Sequence, residues 1–104
     1  MSPSRERLLQ LARLVGPLAF AERFGPPLLL ETEPDAEALR ALIEERIDHV
    51  ARSLVEEAAA SDDVIDPASA VAYLEDRLRT LDELLTPQQA ARIRSAFREG
   101  TAGW

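Results

Sequence analysis

The sequence predicts an all-α protein, a small bundle of four to five helices around one long central helix. Three observations carry that prediction. Apolar residues recur at intervals of three and four through much of the chain, the period of a helix with one buried face. Two residue pairs, Asp66-Pro67 and Thr86-Pro87, join a capping side chain to a proline suited to the first helical position. Hydrophobic residues make up 46% of the chain, mostly Leu and Ala, and aromatics only 5%, a balance that favours helix over strand.

At 104 residues the expected layout is a single helical domain, with an N-terminal arm (1–30), a helical body (34–99) and a short tail (100–104). In the arm, Ser4 can cap a helix that runs to Val15, where Gly16-Pro17 ends or kinks it. Ala19-Phe20-Ala21 mimics a signal-peptide cleavage site, but Gln10 and Arg13 interrupt the apolar region such a signal needs. A second short helix runs from Pro17 to Phe24, stopped by Gly25 and blocked by Pro26-Pro27. Leu28-Leu29-Leu30 is too short for a helix and reads as an extended connector whose leucines plug the core. The sharper alternative is an exposed docking lip.

Asp35 to Ala60 reads as the central helix, with Pro34 as a suitable first residue. Leu39, Ile43, Ile47, Val50, Leu54 and Ala58 form its apolar stripe, and Glu44, Asp48, Arg52 and Glu56 its wet face. Ser61 to Asp66 is a loop. From Pro67 to about Leu85, Val71, Leu74, Leu78, Leu81 and Leu85 make an a/d seam with Glu75 and Asp82 at e and Arg77 at g. Two heptads suit an antiparallel neighbour in one bundle better than a free coiled coil. Thr86-Pro87-Gln88-Gln89 carries a capping box that opens the last helix. Ala90, Ile93 and Phe97 form its apolar edge and Gly100 its end. Trp104 is costly to leave in water and is expected to fold back or to enter a partner.

The net charge of −7 is unevenly placed: residues 31–66 carry −9 and residues 67–85 carry −2, while residues 1–30 and 86–104 carry +2 each. So acidic a body repels phosphates, which makes nucleic acid an unfavoured partner despite Gln88, Gln89, Arg92 and Arg94 on the last helix. The absence of cysteine excludes disulfides, thiolate metal sites and cysteine nucleophiles. With no signal peptide and no run near the roughly 20 apolar residues of a membrane span, the expectation is a cytoplasmic protein.

Chemistry has few footholds. Glu45, His49 and Glu56 share one flank of the central helix and are the metal candidates, the more so as His49 is the only histidine. The spacing does not fit a Glu-x-x-His pair, because Arg46 stands three residues before His49 and Arg52 three after, so the plainer expectation is a surface pair of Glu45 with His49 and no metal or other cofactor. The Asp62-Asp63-Val64-Ile65-Asp66 loop lacks the Gly and distal Glu of a calcium loop. Ser53 stands one turn from His49, but no Gly elbow or oxyanion donor accompanies them. An enzyme is therefore not the expectation. The favoured reading is a non-catalytic interaction protein, an assembly or adaptor subunit that forms a homodimer and meets an unidentified protein partner. Its expected interface is Leu8, Leu11, Leu28, Leu29, Leu30, Leu74, Leu78, Leu81 and Trp104. The alternative is a small-ligand or metal-binding bundle, including an enzyme whose site forms between subunits.

Overall fold

The computed structural model describes residues 3–81 and 84–104, with side chains described from residue 6 onward. Among the described residues there are six α-helices: α1 (Pro3–Val15), α2 (Pro17–Phe24), α3 (Ala36–Glu45), α4 (Ile47–Ala60), α5 (Pro67–Thr80) and α6 (Pro87–Gly100). A single 3-10 turn, Pro27–Leu29, lies between α2 and α3. One cluster of buried side chains draws on all six helices. The fold is all-α, as the sequence predicts, but it has more helices because the central one is divided.

The division falls at Arg46, whose backbone (φ −118°, ψ 25°) leaves the helical region. The apolar stripe survives the break: Leu39, Ile43, Ile47, Val50, Leu54 and Ala58 are all buried. Periodicity cannot register a break that keeps its phase. The physical reason lies in another part of the chain. The Arg46 side chain donates through Nε to the Val15 carbonyl at 2.7 Å, and Ser53 Oγ donates to the Leu14 carbonyl at 3.0 Å. The last carbonyls of a helix have no partner within it, so α4 supplies partners for those of α1 and places a cation at the negative end of its dipole. Gly16 completes the corner at φ 104°, and a Cβ there would come within 3.2 Å of the Arg46 guanidinium.

Three boundaries differ from the sequence reading. α1 begins at Pro3, so Ser4 lies inside its first turn rather than ahead of it. Asp35 is the N-cap of α3, which puts Pro34 outside the helix. α5 stops at Thr80, and the Leu84 N–H closes a tight turn on the Leu81 carbonyl at 2.8 Å. Leu85 therefore lies beyond α5, although it still packs against the core. Asp82, placed at an e position by the heptad, lies outside the described residues. Val71 is 47% exposed because the inward line of α5 is Ala70, Leu74 and Leu78, four apart.

α4 packs most extensively against α6 and next against α1, with α5 a lighter neighbour of both α4 and α6. Gly100 explains part of that closeness. It is the last residue of α6, as the sequence predicts, with Thr101 as the C-cap. A Cβ at Gly100 would lie 2.8 Å from Val55 Cγ2, so a side chain is excluded by contact with α4. In an ordinary helix, Gly→Ala stabilises by about 0.5–1 kcal/mol. Here Gly100→Ala is expected to destabilise by about 1–3 kcal/mol through overpacking, read from urea unfolding midpoints.

Candidate functional site

The proposed metal residues do not converge. Glu45 is paired with Arg23 of α2 instead of His49. His49 is half-buried beside Gly16, and Glu56 is exposed further along α4. Among the described residues no three His, Asp or Glu side chains gather in a metal-binding group. The Ser53 hydroxyl is committed to the Leu14 carbonyl. Asp66 caps α5: its carboxylate accepts from the Ser69 N–H at 2.7 Å, while Ser69 Oγ accepts from the Asp66 N–H at 3.0 Å.

The polar face of α6 is turned to its own neighbours. Gln89 is buried and closes the capping box with Thr86 in both directions, each bond 3.1 Å. Its amide also donates to the Arg40 carbonyl at 3.1 Å and to Glu44 Oε2 at 3.2 Å, which ties the start of α6 to α3. Arg92 pairs with Glu44 at 2.6 Å, and Arg94 grips Glu75 with two bonds of 2.8 and 2.9 Å. That last pair lines a cleft of about 420 Å³ between α5 and α6, with the two charges answering each other.

These pairings bear on acid stability. Hydrogen bonds from Arg23, from the Ser69 N–H and from Arg94 hold the carboxyls of Glu45, Asp66 and Glu75 below their usual range. Groups depressed in the folded state stabilise it fully above their unfolded values, about 4.3 for Glu and 3.9 for Asp. That stabilisation is lost as pH falls through the lower folded values. Urea midpoints are therefore expected to drop between about pH 5 and pH 2, and less so in Glu75→Gln. An unchanged midpoint over that range would contradict the assignment.

The expected interface residues separate into two groups. Leu8, Leu11, Leu74, Leu78 and Leu81 are buried in the core of their own chain, and Leu30 is half-buried against it. The N-terminal arm accordingly packs on its own α4. Leu28 and Leu29 are 66% and 75% exposed, in a 3-10 turn rather than an extended connector. The core-plug reading holds for Leu30 alone. Leu18, which the sequence reading did not single out, is 80% exposed on α2. It stands two residues from the fully buried Phe20, a separation that places them on opposite faces of a helix. Exposed Leu18 on α2 and exposed Leu28 and Leu29 in the 3-10 turn that contacts α2 are together termed the α2 corner.

A second apolar feature lies at the far end of α4. The tail turns back through a Trp104 N–H bond to the Thr101 carbonyl at 3.1 Å. Trp104 joins Ala58, Ala59, Val64, Ile65 and Asp66 around a groove of about 300 Å³. The α2 corner departs from Gly16, beside Arg46 and His49 at the start of α4, whereas Ala58 and Ala59 are near its end. No helix among the described residues is long and apolar enough to cross a membrane. No protein-family model, no curated protein and no solved structure matches the chain.

Proposed function

We propose that this chain is a non-catalytic protein–protein interaction module, a small assembly or adaptor subunit, and that it self-associates through the α2 corner. The observation that supports this reading is the exposure of Leu18, Leu28 and Leu29 while Leu8, Leu11 and Leu14 are buried. Three large aliphatic side chains exposed on two contacting elements are the kind of apolar surface that a second subunit can cover. Twofold dimers are the commonest product of a self-complementary patch. A cytoplasmic location and an unidentified protein partner belong to the same reading.

Light scattering across a concentration series tests it. A mass near twice the 11.5 kDa of the chain is expected at high concentration. Leu28→Glu with Leu29→Glu should return it to the monomer without changing the helical circular dichroism signal. These surface positions are the appropriate targets. Deleting residues 1–30 would remove Leu11, Val15 and Phe20 from the core and unfold the chain. A persistent monomer, or a dimer indifferent to the two substitutions, overturns the reading.

A further inference from the structure

We infer that the groove at the C-terminal end of α4 binds a basic, leucine-bearing peptide segment of another protein. This inference is independent of self-association at the α2 corner. Its walls are Ala58 and Ala59, whose small side chains leave room, together with Val64, Ile65, Asp66 and Trp104. Ile65 is 83% exposed and Trp104 42% exposed, so the walls present apolar surface to solvent. A volume of about 300 Å³ is at the lower limit of small-molecule pockets and suits one or two aliphatic side chains of a docked segment. Trp is also among the residues that most often dominate binding energy at interfaces.

Charge selects the occupant. Asp66 lines the groove, and the adjoining loop from Ser61 to Asp66 carries Asp62 and Asp63 as well and no Lys or Arg. Asp62 and Asp63 are exposed in the loop that leads from α4 to the groove wall. The C-terminal end of α4 adds its partial negative charge. Arg98, the basic residue nearest in sequence to Trp104, acts electrostatically on Glu75, which lines the α5–α6 cleft. An arriving Arg or Lys therefore meets a negative field, and the Trp104 ring offers a further contact for a cation. A second copy of this chain fits poorly, because Leu28 and Leu29 are followed by Glu31 and Glu33. Those acids would face Asp62 and Asp63.

Trp104 is the only tryptophan, so its fluorescence reports on the groove directly. The probe is a synthetic amphipathic helical peptide of Leu and Arg, titrated into the full chain. Trp104 emission is expected to shift to the blue and saturate. Peptides with Leu replaced by Ser, or Arg replaced by Glu, should bind at least tenfold more weakly. Ile65→Ser, at an exposed position that leaves folding intact, should weaken the parent peptide at least fivefold. Leu28→Glu with Leu29→Glu should leave its affinity unchanged. Equal binding of the Ser-substituted peptide would reduce the effect to general attraction by an acidic surface, and overturn the inference. So would indifference to Ile65→Ser, the absence of any emission change, or a blue shift produced by raising the protein concentration alone.

Discussion

Leu11→Ala is expected to destabilise the fold by about 2–5 kcal/mol, the range for truncating a buried leucine. Leu28→Ala should change stability by less than about 0.5 kcal/mol, as surface substitutions usually do. The chemistry of the two changes is identical. Leu11 is completely buried and Leu28 is 66% exposed. At Leu11 the lost methyl groups leave a cavity in the buried core that can relax only in part. At Leu28 they leave water. Urea unfolding of both variants at one temperature measures the contrast, and equal losses would show that the 3-10 turn is packed in solution. With total stability of about 5–15 kcal/mol for a domain, the Leu11 variant is expected to stand near the edge of unfolding.

Gln89→Glu is expected to cost about 1–3 kcal/mol, the range for leaving a buried polar group without its partner. This change separates two roles. A capping box accepts Glu as readily as Gln at its third position, so a purely local role predicts no loss. Gln89 also uses its amide N–H to reach the Arg40 carbonyl and the Glu44 carboxylate. A carboxylate there has no proton to donate and repels both. For a domain of this size each kcal/mol is worth roughly 4–8 °C in Tm, so thermal melts resolve the effect. Gln88→Glu, at an exposed neighbour, serves as the control. A Gln89→Glu variant that melts with the parent would leave only the capping role.

Much of the architecture was legible in the sequence because it depends on neighbours in the chain. The Asp66-Pro67 and Thr86-Pro87 starts, the Pro17–Phe24 helix with its Gly25 stop, and the stripe from Leu39 to Ala58 are local matters of hydrogen bonding and helical period. The candidate site was far less legible. A leucine run looks the same whether it plugs a core or faces water, and Leu28–Leu30 splits between the two. Pairing Glu45 with His49 rests on spacing alone, but Arg23 is 22 residues away and reaches it first.

The sequence by itself determined the helical class and the starts of α2, α5 and α6, because caps, prolines and the 3.6-residue period act within a few residues. Tertiary structure decided the break at Arg46, the need for Gly at position 100, and which leucines remain on the surface. The first two depend on groups distant in the chain, the Val15 carbonyl and the Val55 methyls. A helix can satisfy its middle from its own sequence, but its ends and its outer face take their partners from wherever the rest of the chain comes to lie.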